Sequence, residues 1–226
     1  MELTTVKKFE QISIEFDEPF ELPVRHWTPA TISLELGSLC MKFADVKRVP
    51  RYENHERESD VEHSYMLSMI APELAHLYYP DLDKQLIGEY ARVHDLIEVV
   101  TGDVATFNLT SEQLTNKEKI EHDALASLLE QLPPYTVSLL TNYELQADME
   151  SRFVRAVDKL MPVVVDIIGQ GSKVMQEDYN VQTATALEQS HDSLHARIAQ
   201  KFGEFVTIIS AHRQLCDLFE AEFESN

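Results

Sequence analysis

Five ionisable side chains stand where the sequence would otherwise place core: His63, His94, Asp95, Glu98 and Asp158. His63 heads a stripe continued by Leu67, Ile70, Leu74 and Leu77 at spacings of three and four, the pattern of a buried helix face. His94, Asp95 and Glu98 interrupt a second stripe formed by Leu86, Val93, Leu96, Ile97 and Val100, which stops at Gly102. Asp158 shares a face with Val154, Met161 and Val165, and no local residue offers it a partner, Lys159 being expected to point elsewhere. Charges at the edge of a core cost several kcal/mol unless compensated, and a divalent cation compensates them directly. Two neutral imidazoles and two carboxylates balance such a cation, and the N/O donor set suits Mn, Fe, Co, Ni or Zn. Water on a metal of this kind becomes a hydroxide nucleophile near neutral pH, so the implied chemistry is hydrolysis. The alternative at His94 is a hydrogen-bonded core histidine beside a solvent-facing charge pair.

Other candidates are weaker. His122-Asp123 sits among Lys117, Glu118, Lys119 and Glu121, the solvated side of a helix. His191 and His195 are one turn apart and could chelate together, but their neighbours are polar all round, so they are read as surface residues. Cys40 and Cys216 are too few and too distant for a disulfide framework or thiolate zinc site, leaving nitrogen and oxygen as the metal donors. Lys47, Arg48, Arg51 and Arg57 gather four of the 19 basic residues into one short stretch. Either they form a solvated loop paired with its own glutamates, or arginine forks there clamp an anion such as phosphate.

The elements that must position these residues are helices. Residues 1–29 are expected to form an N-terminal extension, with an extended arm over 11–18 where apolar and polar residues alternate. From Ala30 the pattern is helical, with Ile32, Leu34, Leu36, Leu39, Met41 and Phe43 as core contacts. An irregular charged stretch over 45–62 follows, with Ser59 or Asp60 as the cap of the His63 helix. Later helices are expected from Ser111 to Leu132, from Pro133 to Gln146, over 148–168, and over 178–202 and 204–223. The expected fold is therefore all-α, with residues 30–226 as one domain. The 39 acidic against 19 basic residues, a formal charge of −20, repel phosphate backbones and argue against a nucleic-acid partner. No apolar run reaches the length of a membrane span and no signal peptide is evident, so the expected compartment is the cytoplasm.

The order His63, His94-Asp95, Asp158 in an acidic helical chain resembles the HD-domain metal-dependent phosphohydrolase superfamily. Val-Glu-His-Ser at 61–64 and His-Asp-Leu-Ile-Glu-Val-Val-Thr-Gly-Asp at 94–103 are similar to its bacterial 5′-deoxynucleotidase branch, as is Arg48, fifteen residues before His63 and followed by Pro50. The similarity covers roughly Leu34 to Ile168. It implies an HD-domain helical bundle in which His63, His94, Asp95 and Asp158 hold the metal. Glu98 would orient the attacking water or act as general acid/base, and Asp103 would contact the sugar or assist the leaving 5′-oxygen. Arg48, with Arg51 nearby, would hold the phosphate. The implied reaction is direct hydrolysis of a nucleoside (deoxynucleoside) 5′-monophosphate by metal-bound hydroxide, without a phospho-enzyme, and the implied assembly is a homodimer.

Two departures fall where sugar and base would be selected. Val49 replaces the branch's aromatic Trp, and Val-Ala-Thr-Phe follows Gly102-Asp103 in place of a proline-containing segment. An HD-type nucleoside triphosphohydrolase or other nucleotide hydrolase is the alternative enzyme, and a non-catalytic helical scaffold stabilised by its metal is the alternative of another class. Triphosphates call for more cations near the ligands than Arg48, Arg51 and Arg57 supply, and a purely structural site has no use for Glu98.

Overall fold

The computed structural model describes residues 26–103, 107 and 110–225, apart from the side chains at 111, 114, 115, 117, 118, 122 and 225. The arm read over 11–18, the segment 104–106 and the side chain of His122 lie outside the described residues. Helix α1, Pro29–Asp45, starts with Thr28 and Thr31 in a reciprocal capping box and with Pro29 in its first turn. Of its expected core contacts only Phe43 is fully buried; Leu34 and Met41 face solvent, because just part of the helix surface meets the body of the protein.

The stretch read as an irregular loop is a β-hairpin. Strands β1 (Lys47–Arg51) and β2 (Arg57–Ser59) pair antiparallel, with Lys47 opposite Ser59 and Arg51 opposite Arg57. Pro50 fits because a two-stranded sheet leaves β1 an edge where no N–H is required. The period-two alternation turns Arg48 and Pro50 inward and Lys47 outward.

Ser59 and Glu62 then form the capping box of α2, Asp60–Tyr78, whose buried face carries His63, Leu67, Ala71 and Ala75. The stripe thus advances by fours, and Leu77, expected inside, is exposed. Helix α3 (Lys84–Val93), capped by Asp83, packs against α2. It ends at His94 and does not continue to Gly102. Residues 94–97 form a tightened turn with bonds from Leu96 N to Val93 O (3.1 Å) and Glu98 N to Asp95 O (2.9 Å), before the short α4, Glu98–Thr101. Val100, counted in the buried stripe, is consequently half exposed. Gly102 closes α4 at φ 73°, a conformation that suits glycine.

Helices α5 (Ser111–Leu129, capped by Thr110) and α6 (Pro134–Glu144) follow as expected. The segment 148–168 is two helices, α7 (Met149–Asp158) and α8 (Met161–Ile168), not one. Pro162 in the first turn of α8 has no N–H for the carbonyl of Asp158, so the helix restarts there. A further helix, α9 (Gly171–Glu177), precedes α10 (Ala184–Lys201) and α11 (Val206–Ser225). One core gathers Leu67, Ile87, Tyr90, Leu140, Phe153 and Phe205; a second, with Met175, Leu187, Cys216 and Phe219, joins α8 and α9 to the last two helices. Among the described residues no helix is long and apolar enough to cross a membrane.

The hairpin that carries Arg48 is fixed to the α8–α9 corner, where Gln170 N donates to Arg51 O at 3.0 Å. A Cβ on Gly169 would lie 2.2 Å from that same carbonyl oxygen. Gly169→Ala is therefore expected to cost about 1–3 kcal/mol of stability, read from urea unfolding.

Candidate metal centre

His63 comes from the first turn of α2, His94 and Asp95 from the tightened turn after α3, and Asp158 from the last residue of α7. One ligand atom from each lies within 4.8 Å of all the others. The His63 Nε2 is 2.9 Å from Asp158 Oδ1 and 3.7 Å from Asp95 Oδ2; the His94 Nε2 is 2.9 Å from Asp95 Oδ2 and 3.7 Å from Asp158 Oδ1. His94 Nδ1 lies 2.9 Å from the carbonyl oxygen of Ala91, so in a neutral ring Nδ1 carries the proton and Nε2 presents its lone pair inward. That Nε2 is buried and makes no hydrogen bond among the described residues. His63 turns its own Nδ1 toward the buried Glu58, 3.6 Å from Oε2. A backbone carbonyl and a carboxylate behind the two rings are the supports that metal-binding histidines need. The donor set therefore fits a divalent cation.

The electrostatics agree. Burial opposes charge on His94, but Asp95 and Asp158 outweigh it and hold the imidazolium up to about 10 when only protons are available. Burial likewise pushes the Asp95 and Asp158 carboxyls upward, yet both stay well below the usual carboxylate range. His94 and Arg48 hold down Asp95; Lys159, His63 and His94 hold down Asp158. Such a site attracts a cation strongly.

Arg48 is nearly buried at the edge of this cluster. Its Nη1 is 2.9 Å from Asp95 Oδ2 and 3.4 Å from Asp60 Oδ1, and its Nε is 3.3 Å from Glu58 Oε2. Glu98 is buried, with a carboxyl oxygen in a second close group with Asp60 and Asp95. Its pKa is pushed up to about 11 by burial and then by Asp95, Asp103 and Asp60. Arg48, Glu98 and Asp103 line one cavity with Asp95 and Asp158. Arg51 does not line it: its donors go to Glu177 at 2.7 Å and Asp178 at 2.6 Å, which tie the hairpin to the end of α9. Val49, turned by the strand alternation away from Arg48, does not line it either.

The same cavity holds residues outside the set expected from the sequence to form the site. Lys159 points inward, its Nζ 2.6 Å from Asp158 Oδ2, because the chain breaks between α7 and α8. His191 is buried, not on the surface, with Nδ1 2.7 Å from Glu220 Oε1, while His195 faces His212; the two do not converge. A polar neighbourhood in sequence hid the contact with α11. Phe107 and Tyr179 add an aromatic pair with ring centroids 4.7 Å apart. Asp166 is buried with Oδ1 unbonded among the described residues, its pKa raised by burial and by Glu58 from the ordinary 3.8 to about 8. Glu58 and Asp60 could have been suspected only by reading the charged loop as a strand.

This arrangement defines a class. The chain belongs to the HD domain family, whose family model matches residues 42–202, and its H…HD…D residues are the ones gathered here. It is similar to proteins named 5′-deoxynucleotidase: HDDC2 of Danio rerio is 30% identical over 128 residues, covering 53% of this chain and 62% of that protein. The protein hdd1 of Schizosaccharomyces pombe is 28% identical over 146 residues (58% and 70%), and human HDDC2 is 31% identical over 121 (50% and 58%). The chain thus spans about 62% of the length of the zebrafish relative. A crystal structure named as that of a predicted metal-dependent phosphohydrolase from Magnetospirillum magnetotacticum MS-1 superposes with a TM-score of 0.63 over 90% of this chain and 99% of that one; at 22% identity the likeness bears on the fold.

Two outcomes are expected. Glu58→Gln, which removes the charged support behind His63, should weaken metal binding about 10–100-fold, and Asp158→Asn should weaken it more, both read from metal content by mass spectrometry after equilibrium dialysis. The folded pKa of Asp166 lies above the unfolded one, so the neutral acid favours the fold fully below pH 3.8 and loses that advantage as pH rises through about 8. Asp166→Asn cannot ionise. Between about pH 5 and about pH 9 it should lose less stability than the parent in urea unfolding.

Proposed function

We propose that this chain is a metal-dependent phosphohydrolase that releases phosphate from nucleoside 5′-monophosphates, deoxynucleotides among them. The observation that carries this reading is the meeting of two imidazoles and two carboxylates at one point, with the buried carboxyl of Glu98 beside them. A divalent cation in that set supplies a Lewis acid for the phosphoryl group and lowers the pKa of water. The names of the relatives support a nucleotide substrate, and the aromatic pair of Phe107 and Tyr179 in the same cavity offers a wall for a base.

The chain's own residues divide the work. Arg48 presents its guanidinium to the cavity from a frame of Glu58, Asp60 and Asp95, so it binds phosphate oxygens without first having to be ordered. Water adds to phosphorus as the bond to the 5′-oxygen breaks, and the products are a nucleoside and inorganic phosphate. Glu98 orients that water and exchanges its proton, and Asp103, on the same cavity, delivers a proton to the departing 5′-oxygen or binds the sugar. No side chain is needed as a covalent carrier of phosphate. Arg51, spent on Glu177 and Asp178, holds the hairpin in position and so serves the phosphate through Arg48. The working form is proposed to be a cytoplasmic homodimer.

The test is a screen of phosphorylated metabolites with protein reloaded with Mn, Co, Ni, Mg or Zn, followed by Glu98→Gln on the best substrate. Inorganic phosphate from monophosphates is expected, with kcat lowered about 10²–10⁴-fold in the variant at unchanged metal content. A Glu98→Gln protein with full turnover would remove the central step.

A further inference from the structure

A second cavity meets the first at Asp95, Glu98, Asp158, Lys159 and Leu194 and extends toward α10. Its lining brings together Arg155, Lys159, Arg197 and Lys201, four of the 19 basic residues of a chain whose formal charge is −20. Glu121 and Glu144 are the other acids on its wall. Glu144 is held by Arg155, Nη2 to Oε2 at 3.0 Å, and the Arg155 guanidinium lies 4.7 Å from the centroid of the Tyr143 ring. Arg197 is different. It is partly buried, its Nε is shut off from solvent without a hydrogen-bond partner, and no carboxylate among the described residues forms an ion pair with it. Among the described residues no acid pairs with Arg197, so an anion entering this cavity meets a guanidinium without a competing ion pair there.

We propose that this lobe is a binding site for a second phosphate-type anion, adjoining the place where the scissile phosphate sits and held chiefly by Arg197 with Lys201. The inference rests on the phosphohydrolase reading for the position of the first phosphate and goes beyond it in assigning a second. The shared chemistry is a compact, multiply charged oxyanion. It can arrive as the next phosphate of a nucleoside diphosphate or as free inorganic pyrophosphate. Arg155, immobilised by Glu144 and Tyr143, shapes the wall, while Arg197 lines the cavity without an ion pair among the described residues and offers a guanidinium of the kind that matches phosphate oxygens. The phosphate clamp for hydrolysis is Arg48, on the hairpin, so the two groups of cations can be separated by mutation.

The experiment compares the parent chain with Arg197→Ala, Arg197→Lys and Lys201→Ala, each metal-loaded and with metal content checked before and after. Inhibition of monophosphate hydrolysis by inorganic pyrophosphate and by a nucleoside diphosphate is measured, and pyrophosphate binding is followed directly by calorimetry. In Arg197→Ala the inhibition constants should rise about tenfold or more, with kcat and KM for the monophosphate within about twofold of the parent. Arg197→Lys, which keeps the charge, should recover part of the loss. Weakening of both inhibitors supports a free-anion site, and weakening of the diphosphate alone supports a site for the substrate's own second phosphate. Unchanged inhibition in both alanine variants, or a KM for the monophosphate that rises in step with the inhibition constants, would overturn the proposal. If no monophosphate is turned over, the parent reading fails, and calorimetric pyrophosphate binding that depends on Arg197 still decides this one.

Discussion

The structure depends on holding Asp95 and Asp158 together, away from bulk water, with His63 and His94 between them. Two carboxylates at this separation repel each other, and burial raises the cost of their charge. The fold meets that cost from several directions at once. Arg48 reaches Asp95 from the hairpin, Lys159 reaches Asp158 from the next residue, and the two imidazoles face both acids. Glu58 and Asp60 in turn surround Arg48, so the cluster is a network in which each member has a stake in its neighbours' position. The donors this network gathers fit a divalent cation.

The four residues of the candidate metal centre stand at helix ends. His63 lies in the first turn of α2, His94 and Asp95 in the turn that follows α3, and Asp158 at the end of α7. The stop at Asp158, enforced by Pro162, ends α7 so that Lys159 can fold back on its neighbour. This break also sets a wall of the cavity, because α8 and α9 start a new direction and bring Asp166, Met175 and Tyr179 alongside Asp95 and Asp158.

Charge is distributed to the same end. A formal −20 would keep anionic substrates at a distance if it were spread evenly. Instead Arg48 borders one lobe and Arg155, Lys159, Arg197 and Lys201 border another, and the two lobes meet at Asp95 and Asp158 of the candidate metal centre. Low-dielectric walls concentrate the field of those few cations where a phosphoryl group would enter. The acidic remainder of the chain serves solubility.

The sequence by itself determined the helical class, narrowed the cap of α2 to Ser59 or Asp60, and picked out four residues that the fold brings to one point, because helix periodicity and ligand chemistry are local properties that a one-dimensional pattern carries. It misjudged what depends on partners far along the chain. Leu34, Met41 and Leu77 follow an apolar spacing yet face solvent, since no element was there to cover them. Arg51 was drawn toward phosphate by its neighbours, but Glu177 and Asp178 claim it across more than a hundred residues. His191 looked exposed until α11 brought Glu220 to it, and the basic lobe exists only because α7 and α10 converge. Burial and charge pairing are set by three-dimensional neighbours, and those the tertiary structure alone decided.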